Sequence, residues 1–128
     1  MTKYEKNVYL SMLAEQCNRF EEMANFLEYM LNTRDKDLNS DERNLLSIAY
    51  KNSITSRRNS MRIITAYEMK ENKKDNSQFL PFIKEYKIKI ADEITKMCKN
   101  VISVIDQHLL LRAEDDEARV FYQKMKRL

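Results

Sequence analysis

Three cations share one narrow stripe in the middle of the chain. On a helix turning about 100° per residue, with Lys51 at zero, Arg58 falls at about −20° and Arg62 at about +20°, and the three span about 16 Å of axis. Asn44, Ser47, Thr55 and Thr65 lie on the same stripe, which holds no apolar residue until Met69. Guanidinium forks match phosphate oxygens bidentately, so two arginines one turn apart can converge on a single anion. An ordinary solvated helix face has the same pattern, and spacing alone leaves both readings open.

No other residue set suggests chemistry. The sequence has one histidine, His108, which continues an apolar stripe and reads as a packed or capping residue, with no nucleophile pattern beside it. Cys17 and Cys98 are far apart, form no CxxC, and read as small core residues in a reducing compartment. A zinc site has no ligand set. The sequence contains no glycine, which excludes phosphate-binding glycine loops. Glu114 to Glu117 is an acidic run better suited to a helix start than to a cation. The eight methionines read as core gap-fillers. Net charge is +3, too balanced to imply nucleic acid. No secretory signal and no membrane-length apolar run is visible. The expectation is a non-enzyme without cofactor or metal, acting in the cytoplasm, away from membranes and nucleic acids.

These residues must be positioned by helices. A glycine-free chain rich in Lys, Glu, Leu, Met and Ala favours helix, and turns needing positive φ must use Asn or Asp. Capping-box patterns at Thr2–Glu5, Asn18–Glu21 and Asn39–Glu42 predict three helix starts. The third opens a long run ending between Tyr67 and Lys70. Loops are expected over Asn32–Leu38 and Glu71–Ser77. Pro81 then sits in the first turn of a fourth helix. Its stripe runs Phe79, Ile83, Tyr86, Ile90, Ile94, Met97, Val101, Ile105 and His108. A connection over Arg112–Asp116 leads to a fifth helix through Val120, Phe121 and Met125. The fold expectation is an all-α array of about five antiparallel helices, over 1–128, without a domain boundary. Opposite the cation stripe, Leu45, Leu46, Ala49, Ile63, Ile64 and Tyr67 predict a buried face.

Several segments carry a resemblance. Arg43-Asn-Leu-Leu-Ser-Ile-Ala-Tyr-Lys-Asn52 resembles the RNLLSVAYKN signature of the 14-3-3 family. Arg57-Arg-Asn-Ser-Met-Arg62 is similar to its RRxSWR segment, with Met61 in place of Trp. Leu13 to Met23, Ile83 to Ile90 and Val120 to Lys126 resemble further family segments, in order and at family spacing. The resemblance implies the N-terminal half of the fold: dimerisation helices plus one wall of a groove for phosphoserine or phosphothreonine motifs. It implies Lys51, Arg58 and Arg62 as phosphate-side residues, with Lys124 beside them. It implies a homodimer or heterodimer through Leu13, Cys17, Ile63, Ile64, Tyr67 and Tyr86, with ion pairs Arg19–Glu93 and Glu22–Lys89. Plain intrachain core remains open for the apolar positions. Ser60 matches a phosphorylatable family serine and falls about 180° from Lys51, so burial is expected there. The residues following Lys126 depart from the family pattern, and its later helices are not in the sequence. The alternative is therefore a truncated or divergent member acting as a dimerisation module without full phosphopeptide binding.

Overall fold

The computed structural model describes residues 1–33 and 35–128 and is all-α among them. Five helices follow one another: α1 Lys3–Gln16, α2 Phe20–Leu31, α3 Ser40–Asn72, α4 Leu80–Val104 and α5 Asp116–Met125. A π-helical turn, Ile105–Leu109, and a last α-helical turn, Leu110–Arg112, follow α4. The loop predicted over Asn32–Leu38 lies between α2 and α3, and its residue Arg34 falls outside the described residues.

Two of the three predicted boxes form. Thr2 Oγ1 accepts from the Glu5 amide at 3.1 Å, and Glu5 Oε2 accepts from the Thr2 amide at 3.4 Å. At α3, Glu42 Oε1 accepts from the Asn39 amide at 2.8 Å and Asn39 Oδ1 from the Glu42 amide at 2.9 Å. The Asn18 box does not form. Asn18 instead takes φ 56° in the turn between α1 and α2, and Arg19 enters α2 without a side-chain cap. Asn76 takes φ 54° before α4. Both positive-φ positions among the described residues are thus asparagines, in keeping with a chain that has no glycine. Asp115 Oδ1 caps α5 by accepting from the Ala118 amide at 2.8 Å.

The π turn corrects the α4 stripe. A π turn carries one extra residue, so the inward face advances by one position. Val101 and Ile105 are buried as expected, but Leu109 takes the next core position and His108 is only half-buried.

The chain divides into two compact units, Met1–Ser53 with Asn100–Leu128, and Ile54–Lys99. The first holds most of the core. Met23, Leu27, Met30, Leu46, Ile105 and Leu109 are at most 1% exposed. Polar links, most of them half-buried, hold its helices in register. Tyr50 Oη donates to Glu28 Oε1 at 2.6 Å, and Asn100 Nδ2 donates to the same oxygen at 2.8 Å. Tyr122 Oη donates to Asp37 Oδ1 at 2.6 Å, and Arg112 Nη1 to the Leu31 carbonyl at 2.8 Å. Burial, then the neighbouring carboxylate, pushes both hydroxyls above the usual phenol range.

In the second unit only Ile54 and Ile90 are buried. Glu68 pairs with Lys87 at 2.9 Å, and Arg57 Nε lies 3.6 Å from Glu93. Partly exposed pairs of this kind contribute at most about 1 kcal/mol each. The predicted buried face of α3 therefore holds only in its first half. Leu46 and Ala49 are fully buried, whereas Ile63 and Tyr67 are about 60% exposed.

Candidate functional site

Each candidate cation is set by its helix. Lys51 follows Tyr50, whose ring is buried and whose hydroxyl is tied to Glu28, so Lys51 is left exposed. Tyr50 was not among the residues singled out from sequence, although its burial fixes the orientation of α3 at Lys51. Arg57 and Arg58 separate. Arg57 turns inward toward Glu93, with Nη1 3.8 Å from Met97 Sδ, while Arg58 is exposed. Arg62, one turn on, is also exposed. Lys124 projects from α5, where the inward positions are taken by Tyr122 and Met125. Lys51 and Lys124 belong to the first unit, Arg58 and Arg62 to the second.

The positions that resemblance assigns to dimerisation are mostly exposed. Leu13 is 43%, Ile63 60%, Tyr67 59% and Tyr86 57% exposed, and Ile64 is half-buried. Cys17 is exposed and Cys98 half-buried, so neither is the core residue expected from its apolar neighbours. Cys17 lies just past the end of α1, where its N–H closes the last turn instead of packing inside. Ser60 is exposed in this chain, contrary to the burial expected, because that half of α3 has too little of its own chain over it. Its hydroxyl donates to the Ser56 carbonyl at 3.3 Å. Arg19, at the N-cap of α2, pairs with Glu22, and Glu93 with Arg57. Lys89 is exposed.

Among the described residues no cluster of three or more metal-ligating side chains occurs. No helix among them is long and apolar enough to cross a membrane.

The model of the 14-3-3 protein family matches residues 10–127. The chain belongs to the 14-3-3 family. It is 48% identical over 123 residues to a 14-3-3 protein homolog of Trichoderma harzianum, covering 96% of this chain and 47% of that one. It is 46% identical over 127 residues to the 14-3-3-like protein GF14 psi of Arabidopsis thaliana, covering 98% and 50%. A 14-3-3-like protein of Solanum tuberosum is 46% identical over 122 residues, covering 95% and 47%. The chain thus spans about half the length of the curated relatives it matches. The all-α architecture is that of the N-terminal half of a 14-3-3 protein.

Proposed function

We propose that this 14-3-3 chain is a dimeric, non-catalytic adaptor that binds phosphoserine or phosphothreonine motifs of partner proteins in the cytoplasm and alters their activity or location. Family membership supports an adaptor-type function. The observation that carries the finer reading is the exposure of Arg58 and Arg62, one turn apart on a polar helix face. Lys51 lies further along that stripe, and Lys124 on α5 is the fourth member of the proposed set. Arg58 and Arg62 would take the phosphate oxygens, and Lys51 would add a point charge. Residues 1–128 would then carry the dimerisation helices and one wall of the groove.

The test compares a phosphoserine peptide with its unphosphorylated twin by fluorescence anisotropy. The phosphorylated form is expected to bind better. Arg58→Ala or Arg62→Ala is expected to weaken it by about 1.5–3 kcal/mol, the size of a lost charge-assisted contact. Lys96→Ala, on an exposed stretch of α4, should leave binding unchanged. Equal binding of the two peptides would defeat this reading.

One observation favours a second reading, a dimerisation module that pairs with longer relatives without binding phosphopeptide itself. Ile63, Tyr67 and Tyr86 are exposed on the second unit, an apolar surface suited to a partner subunit. Phosphopeptide binding regained only on mixing with a longer relative would select it.

A further inference from the structure

A groove runs between α1 and the first turns of α3, wholly inside the first unit. Its volume is about 560 Å³, well inside the ~300–1,000 Å³ of typical ligand sites. Tyr4, Val8 and Met12 recur every fourth residue along its α1 wall, and Leu45 contributes from α3. Two large side chains of that wall are solvated: Tyr9 is 58% exposed and Met12 48%. Glu5, Asp41 and Glu42 also line the groove, and none of its lining residues is Lys, Arg or His. On a chain of net charge +3 this is a local reversal of sign.

We propose that this groove docks a basic amphipathic helix of a partner protein, its apolar side chains against Val8, Met12 and Leu45 and its cations against Glu5 and Asp41. An apolar floor with anionic walls matches a helix that carries leucines on one face and lysines or arginines at its edges. The α1 wall from Tyr4 to Met12 is about 12 Å long, or roughly two turns of a guest helix. That is more apolar length than a single amine would cover.

None of the residues proposed for phosphate binding or for dimerisation lines the groove, although Asn44 of the cation stripe does. Measured around α1 from Val8, Met12 lies at about 40° and Cys17 at about 180°, while Leu13 at about 140° borders Tyr9 at about 100°. The inference does not rest on phosphopeptide binding.

The probe is a fluorescent amphipathic Leu/Lys helix. Its controls are a scrambled peptide of the same composition, a Leu/Glu version and phenethylammonium as a small amine. The Leu/Lys helix is expected to bind saturably to the intact chain. Asp41→Lys and Met12→Lys, both at exposed positions, should each weaken it by about fivefold or more, with thermal melts showing both variants folded. Arg58→Ala and added phosphopeptide should change nothing. Equal binding of the scrambled peptide, or full binding by both groove variants, would overturn the proposal. Displacement of the helix by phenethylammonium at comparable concentration would overturn it in favour of a small-amine site. A loss of phosphopeptide binding in Arg58→Ala alone bears only on the adaptor reading.

Discussion

Glu42 sits under two opposed influences. Its carboxylate accepts the Asn39 amide at the start of α3, which favours the anion, and it is 4% exposed, which disfavours it. Burial is the larger effect and holds its proton affinity above the ordinary Glu value of 4.5. A carboxyl that binds protons more tightly folded than unfolded contributes stability at low pH, and that contribution is lost as pH rises through the folded value. Gln at this position keeps an acceptor for Asn39 and cannot ionise. Glu42→Gln is therefore expected to gain on wild type as pH climbs from below 4.5 towards neutrality, despite losing a few tenths of a kcal/mol of helix-dipole interaction. Urea unfolding across that range reads the difference, and a wild type that gains on the variant instead would show the cap outweighing burial. The Tyr50–Glu28 link is a second residue-scale case. Tyr50→Phe removes a hydroxyl from a charged acceptor that keeps only Asn100 among these two donors. A loss of about 1.5–3 kcal/mol is expected, seen as a lower midpoint in the same titration. No change would mean that water replaces the hydroxyl at Glu28.

The helices show which sequence signals are local and which are not. Thr2–Glu5 and Asn39–Glu42 form their boxes because everything they need lies within four residues. Asn18 has the same pattern and a different fate. With no glycine available, the short turn between α1 and α2 needs a residue that accepts positive φ, and Asn18 is the one that serves. Its residue type was legible in the sequence, but its role depended on where the turn fell. Asn18→Ala removes the short polar side chain that lets Asn tolerate φ 56° and is expected to cost about 1–2 kcal/mol, while Asn18→Gly should be close to neutral. Guanidinium unfolding of the pair tests this, and equal stability of Ala and Gly would refute it. The π turn at Ile105–Leu109 left no mark on the apolar repeat, which continued through His108 as if the helix were regular. Only packing selects Leu109 over His108 there. Among the candidate site residues, the exposure of Arg58 and Arg62 was legible because they keep to a polar stripe. The inward turn of Arg57, next in sequence, depends on Glu93 and Met97 from another helix.

At the scale of the whole molecule, the main ambiguity in the sequence was whether an apolar helix face is covered by its own chain or by another. Period fixes the face and says nothing of its cover. The first half of α3 buries its face with Leu46 and Ala49, and the second half leaves Ile63 and Tyr67 in solvent. Ser60 is exposed within that second half, its hydroxyl on the Ser56 carbonyl. If a partner subunit covers this surface, as proposed, Ser60 becomes a point where added charge acts on assembly. A phosphoserine carries about −1.5 to −2 charges at neutral pH, and moving that charge into an apolar contact has a large desolvation cost. The expected outcome is that Ser60→Glu shifts the sedimenting species towards monomer at micromolar concentration, while Ser60→Ala stays dimeric. Because the Ser60 hydroxyl bonds only within its own helix turn among the contacts seen, both variants should keep the helical content of the parent, which circular dichroism checks. A Glu variant that dimerises as tightly as the Ala variant, with kinase-phosphorylated chain behaving the same way, would place Ser60 outside the interface. A stable monomer for the unmodified chain would go further, leaving Ile63, Tyr67 and Tyr86 without a partner subunit and removing the dimer from the proposed function.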